Sequence, residues 1–135
     1  MKERHVVTCF LEHEGRILIL KRSGRVGTYQ GRWGGVAGYI EAGNSPQQQA
    51  LQEIREEAGL GEEDVELVKE GETLEAVDEA LGRKWVVHPF RFRVEYPEKI
   101  KTDWEHIDLA WIDPEELVRF ETVPRLPETW AKVAD

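Results

Sequence analysis

The sequence predicts a mixed α/β fold, with helices packed on the faces of a mixed β-sheet. Three observations carry that expectation. Apolar, β-branched runs recur along the chain with turn residues between them. One segment near the middle carries the cap, first-turn proline and glycine stop of a helix, and the C-terminal stretch has apolar residues at helical spacing. A length of 135 residues fits one domain over residues 1–135 and is too short for two ordinary ones.

Taken in order, residues 5–11 and 16–21 are rich in Val, Ile, Leu and Phe, and Glu14-Gly15 between them reads as the turn of a hairpin. The glycine-rich residues 23–35 read as a loop, followed by a short strand at 36–40. Ser45 is placed to cap a helix, Pro46 suits its first position, Gln48 completes a capping box and Gly59 ends it. Further β-like stretches cover residues 65–70, 74–77 and 84–95, with Pro89 implying an edge strand or a bulge in the last. Residues 109–112 form a final short strand before Asp113-Pro114-Glu115-Glu116, which has the marks of a helix start. A last helix is expected from about Pro127, with Leu126, Trp130 and Val133 on its apolar side.

Composition narrows the classes of function. Hydrophobic residues at 40% and charged residues at 33% are a soluble globular balance, and no apolar run approaches the roughly 20 residues needed to cross a bilayer. No membrane association is expected. The N-terminus lacks the apolar core and small-residue cleavage site of a signal peptide, so a cytoplasmic location is expected. Cys9 is the only cysteine; it excludes an internal disulfide and, inside an apolar strand, reads as core filling. A net charge of −9 opposes nonspecific binding to nucleic acid. The charge is uneven, however. Between Gly15 and Ile40 there is no acidic residue, while Arg16, Lys21, Arg22, Arg25 and Arg32 all fall there, just ahead of a strongly acidic segment. A basic strip beside carboxylates suits an anionic ligand bridged by a divalent cation, although each of these residues taken singly also fits a solvated face.

On the helix from Ser45 to Ala58, Ala50, Leu51, Ile54 and Ala58 fall on one arc, the expected buried stripe. Glu53, Glu56 and Glu57 occupy a neighbouring arc near the helix C-terminus. That placement is doubly unfavourable, because like charges at this spacing repel and carboxylates there oppose the negative end of the macrodipole. A divalent cation would reverse both penalties, since oxygen ligands suit Mg²⁺ and Mn²⁺. The three acids by themselves fit a solvated acidic face as well; the frame from Trp33 to Leu60, a strand, a glycine loop, a capped helix and a glycine stop, favours a metal site.

In that frame the sequence resembles the Nudix hydrolase family. The family box, G-x5-E-x7-R-E-U-x-E-E-x-G-U with U aliphatic, aligns without a gap to Gly38–Leu60, matching at Gly38, Glu53, Ile54, Glu56, Glu57, Gly59 and Leu60. The resemblance implies an α/β/α sandwich and a MutT-like, magnesium-dependent pyrophosphatase acting on a small nucleotide. It implies that Glu53, Glu56 and Glu57 ligate Mg²⁺, with Mn²⁺ as an alternative, helped by the Gly38 carbonyl, and that Glu105 is a further ligand or the general base. Arg22, Arg25 and Arg32 are then candidates to hold phosphate oxygens. A homodimer is a family-level expectation only.

Two positions depart from the box. Asn44 stands where the family has glutamate, and Gln52 where it has arginine. In the family that pair helps brace the loop and helix, so the double change predicts an ion pair exchanged for a neutral amide bridge. The expected reaction is cleavage of a pyrophosphate bond in a nucleoside diphosphate linked to another group, by metal-activated water. The rival is a Nudix-fold module that binds a nucleotide with weak or no catalysis, supported by the two departures. Isoprenoid diphosphate isomerisation, which some relatives perform, calls for a cysteine in the glycine-rich region, and Cys9 lies elsewhere. Tyr29, Trp33 and Trp104 are candidates for base stacking or for core packing, and His88 reads as structural.

Overall fold

The structure, a computed structural model, describes residues 1–135. In chain order it contains β1 (Lys2–His13), β2 (Arg16–Arg22), β3 (Trp33–Gly34), β4 (Val36–Tyr39), α1 (Pro46–Ala58), β5 (Val65–Glu70), β6 (Leu74–Asp78), β7 (Arg83–Val94), β8 (His106–Ile112) and α2 (Leu126–Ala131). Short 3₁₀ turns at Glu62–Asp64, Pro97–Lys99 and Pro114–Arg119 connect them.

β1 and β7 are the spine of a mixed eight-stranded sheet, paired in parallel from Lys2↔Arg83 to Glu12↔Arg93. The other edge of β1 is divided. Val6–Cys9 pair with β4, while only Glu12 and His13 pair with β2 across the hairpin turn. β2 therefore swings away from β1 and completes its bonding with β8 and β3. That divergence opens a cleft in the sheet whose wall is β4.

The strands of the spine are buried on both faces, which is why they read as continuous apolar runs. Alternation sorts the side chains. Val7, Cys9, Leu11, Leu18, Leu20, Phe90 and Phe92 pack with Ala50, Ile54 and Ala58 of α1. Phe10, Ile17 and Ile19 face the other way, against Leu117, Leu126 and Val133 around α2. The result is the expected sandwich of helices about a sheet. Cys9 is fully buried, as core filling requires.

Four details differ from the sequence expectation. β7 is an interior strand, so Pro89 marks neither an edge nor a bulge of its own. It falls where the antiparallel partner of β7 changes from β6, ending at Val87, to β5, beginning at Phe90, and its missing N–H interrupts no ladder. Within the expected loop at 23–35, Trp33–Gly34 pairs with Leu20 and Lys21 as a short strand. The helix start at Asp113 produces only a 3₁₀ turn of six residues, ended at Phe120, which leaves to pack edge-on against Trp33. Leu51 is only partly buried, whereas Gln49 and Glu57 are buried on α1. The helix is rolled toward β4, where Ala37 and Gly38 offer little side-chain bulk.

Candidate active site

Helix α1 begins and ends where its sequence says. The Ser45 hydroxyl accepts from Gln48 N at 3.1 Å, Gln48 Oε1 accepts from Ser45 N at 2.8 Å, and Gly59 closes the helix at φ 71°. These caps fix the phase of the helix against β4 and so place Glu53. Gly38 is the complementary feature. A Cβ built on Gly38 would stand 2.0 Å from Glu53 Oε1, so only glycine lets this carboxylate lie across the β4 backbone.

Glu56 and Glu57 lie on either side of Glu53 on the helix, and the surroundings of Glu53 and Glu57 disfavour their charge. Burial, then the nearby Glu56, raises the Glu53 carboxyl to about 7. Glu57 is 2% exposed and is pushed well above the usual carboxylate range by burial first and by Glu53 and Glu105 next. Its Oε1 accepts a long bond from Ala37 N at 3.4 Å, and its Oε2 is buried with no partner at all. The three carboxylates are not drawn onto a common point, since no three His, Cys, Asp or Glu side chains stand at coordinating spacing. A buried acceptor without a donor beside two further acids is nevertheless the environment that a hard divalent cation satisfies. The residues present fit such an ion by chemistry: oxygen donors only, with excess negative charge.

The two departures from the box are joined. Asn44 Nδ2 donates to Gln52 Oε1 at 3.2 Å and to Gln49 Oε1 at 2.8 Å. Gln52 Nε2 in turn reaches Glu41 Oε1 at 3.2 Å and Glu56 Oε1 at 3.1 Å. An amide network thus spans loop and helix where the family uses an ion pair. The sequence reading did not single out Gln49, which is 1% exposed and acts as the hub: its Oε1 also accepts from Glu41 N at 2.9 Å, and its Nε2 donates to Glu53 Oε2 at 3.1 Å. Gln49 could have been flagged only as a polar residue beside the apolar stripe.

The acids border a cavity of about 430 Å³ lying in the cleft beside β4. Glu53, Glu56, Glu105 and Arg22 line one part, and Val6, Tyr29, Tyr39, Trp85, Val87 and Leu126 are among the residues that line the rest. Glu105 is brought to the site by the loop before β8, whose backbone is tied by Ser23 N donating to Glu105 O at 2.7 Å. Burial, then Asp103, raises its carboxyl. Arg22 is the one of the three candidate arginines that lines the cavity, held by bonds from Nε to Thr28 O (3.0 Å) and from Nη2 to Thr28 Oγ1 (3.4 Å). Arg25 lies over the Trp104 ring at 5.4 Å, and Arg32 is engaged with Thr122 O at 3.2 Å and Glu121 at 3.7 Å. Neither is among the cavity residues, because the strip that looks continuous in sequence is divided by the turns of the loop.

The aromatic candidates separate as well. Tyr29 lines the cavity, Trp33 belongs to the packing around α2, and Trp104 is exposed. Trp85, which carried no site assignment from the sequence, joins Tyr29 in the wall, with its Nε1 donating to the Tyr29 hydroxyl at 3.1 Å. Nothing local in its strand pattern distinguishes it from a core tryptophan. His106, also unassigned, is 7% exposed, with Nδ1 3.2 Å from Asp103 Oδ1 and Nε2 3.6 Å from Glu57 Oε1. His88 pairs with His5 at 3.0 Å, away from the acids.

Comparison with known proteins identifies the family and the fold. A family model described as NUDIX domain matches residues 1–132. The chain is 27% identical over 128 residues to a protein named nucleoside triphosphatase NudI from Escherichia coli O139:H28, covering 90% of this chain and 89% of that one. Among solved structures, a MutT protein from Methanosarcina mazei Go1 superposes with a TM-score of 0.82 at 21% identity, covering 98% of this chain and 93% of that one. A C. elegans Ap4A hydrolase binary complex gives 0.76 at 18% identity, covering 98% and 94%. These two structural likenesses concern the fold.

Proposed function

The chain belongs to the NUDIX family, and from that premise we propose that it is one NUDIX domain acting as a metal-dependent pyrophosphohydrolase on a nucleoside diphosphate linked to another group. The observation that carries the reading is Glu53, lying across Gly38 at the border of a partly apolar cavity with Glu56, next to a buried Glu57 that has an oxygen without a partner. The curated relative at 27% identity, a nucleoside triphosphatase, favours a nucleotide substrate.

Glu53, Glu56, Glu57 and the Gly38 carbonyl would hold Mg²⁺ or Mn²⁺. When bound, the ion supplies neutralisation of the diphosphate and a lowered pKa for the attacking water. The chain's own residues do the remainder. Arg22 offers charge-assisted bonds to phosphate oxygens at the border between the acids and the apolar wall. Glu105, raised by burial and set opposite the helix acids, accepts the proton of the attacking water. Tyr29 and Trp85 give the nucleoside an aromatic wall, and the apolar lining excludes bulk water from the pyrophosphate. The Asn44–Gln52 network keeps α1 and the loop in register, so that the acids need not reorganise during the reaction.

The test is a panel of nucleoside triphosphates, dinucleoside polyphosphates and nucleotide sugars with Mg²⁺ or Mn²⁺, for the wild type and for Glu57→Gln. Metal-dependent release of a monophosphate from at least one class, lost in the variant, is expected. Nucleotide binding without turnover on any member would replace this reading with that of a binding module.

A further inference from the structure

The far rim of the cavity carries a cluster of which the catalytic reading uses only Trp85. Arg4, Tyr39, Trp85 and Arg83 stand on one face, because Arg4 pairs with Trp85, Lys2 with Arg83 and Val6 with Tyr39. The Tyr39 and Trp85 rings stack with centroids 6.0 Å apart and planes at 29°. The Arg4 guanidinium lies over Tyr39 at 5.2 Å, and that of Arg83 over Trp85 at 5.6 Å. Arg83 Nη1 also donates to the Tyr39 hydroxyl at 3.5 Å.

Neither arginine has a carboxylate within 4.0 Å, in a chain of net charge −9. The acids around them are engaged elsewhere. Glu3 and Glu75 pair with Lys84 at 3.7 and 3.0 Å. Asp78, opposite Arg83 in the ladder, accepts from the Tyr29 hydroxyl at 2.8 Å and from Leu81 N at 3.2 Å. Arg4 Nε is buried and has no hydrogen-bond partner. Two guanidinium groups placed over aromatic rings, Arg4 with no carboxylate partner and Arg83 with only a long bond to the Tyr39 hydroxyl, are preorganised to receive the oxygens of an anion.

We propose that Arg4 and Arg83 form a second phosphate subsite, which selects substrates carrying a phosphomonoester on the nucleoside remote from the pyrophosphate. The inference rests on the hydrolase reading of the cavity. With the pyrophosphate at the glutamates and the nucleoside along Tyr39 and Trp85, a phosphate on the ribose or its equivalent reaches the rim. A nucleoside without that group leaves both guanidinium groups unpaired.

The experiment uses matched pairs that differ only in such a phosphate, coenzyme A against dephospho-coenzyme A and NADP⁺ against NAD⁺, assayed with Mg²⁺. In the wild type the phosphorylated member is favoured about tenfold in kcat/KM through its KM, as one or two charge-assisted bonds would give. In Arg4→Gln and Arg83→Gln that ratio falls to about one. Lys84→Gln, a neighbouring cation already paired with acids, leaves the ratio intact. In parallel, calorimetry compares adenosine 3′,5′-bisphosphate and adenosine 2′,5′-bisphosphate with AMP, for the wild type and the two arginine variants. Cleavage of both members without preference, or a preference that survives both substitutions, overturns the subsite while leaving the hydrolase reading in place. Absence of cleavage of these pairs and of the whole nucleotide panel, with tighter binding of a bisphosphate that depends on Arg4 and Arg83, overturns the hydrolase reading and supports the subsite.

Discussion

Replacing Glu53 by glutamine is expected to stabilise the protein when metal has been stripped with EDTA. Burial and Glu56 raise the Glu53 carboxyl from 4.5 to about 7 in the fold. For an acid raised in this way the penalty is absent below its unfolded value, grows as pH rises, and is complete above about 7. At face value the rise corresponds to about 3 kcal/mol. Glu53 is half-buried, and solvent screening reduces the figure to about 1–2 kcal/mol. Glutamine keeps the shape and still offers an oxygen to Gln49 Nε2, which now bonds Glu53 Oε2 at 3.1 Å. For a chain of this size the change is about 3–8 °C in Tm. Thermal unfolding in EDTA at pH 5 and pH 8 measures it: the variant should gain at pH 8 and differ little at pH 5. Added Mg²⁺ should raise the wild-type Tm at pH 8 and raise the variant less. A variant less stable than wild type at pH 8 in EDTA would refute the argument that repulsion and burial strain this acid.

Other substitutions examine other parts of the site. Gly38→Ala places a methyl carbon where Glu53 Oε1 lies, so activity should fall by about 100-fold or more with circular dichroism unchanged; near-normal turnover would mean that Glu53 need not lie there. Glu105→Gln should lower kcat by about 100-fold or more with little change in KM, read by steady-state kinetics, if this residue accepts the proton. Asn44→Ala removes the donor shared by Gln49 and Gln52 and should cost about 1 kcal/mol in urea unfolding along with part of kcat. Arg91→Met leaves Glu12 buried without the guanidinium that meets it at 2.9 Å, and a loss of about 3 kcal/mol in urea unfolding is expected.

Much of the fold was legible because it depends on local chemistry. Ser45, Pro46, Gln48 and Gly59 bound α1 at the positions their side chains and φ preferences require. The strand runs at β1, β2 and β7 were readable because interior strands are apolar on both faces. What the sequence could not show was pairing. The choice of β7 as the parallel partner of β1, and the change of partner that accommodates Pro89, depend on strands tens of residues away.

The same division runs through the candidate site. By itself the sequence determined the family, the spacing of Glu53, Glu56 and Glu57 on one helix and the glycine that faces them, because helix phase is a property of consecutive residues. Tertiary structure alone decided that Glu57 is buried with an oxygen unsatisfied, that Arg22 lines the cavity while Arg25 and Arg32 do not, and that Arg4 and Arg83 frame a stacked Tyr39 and Trp85. Desolvation and stacking depend on which surfaces meet when β1 parts from β2, and no run of neighbouring residues encodes that meeting.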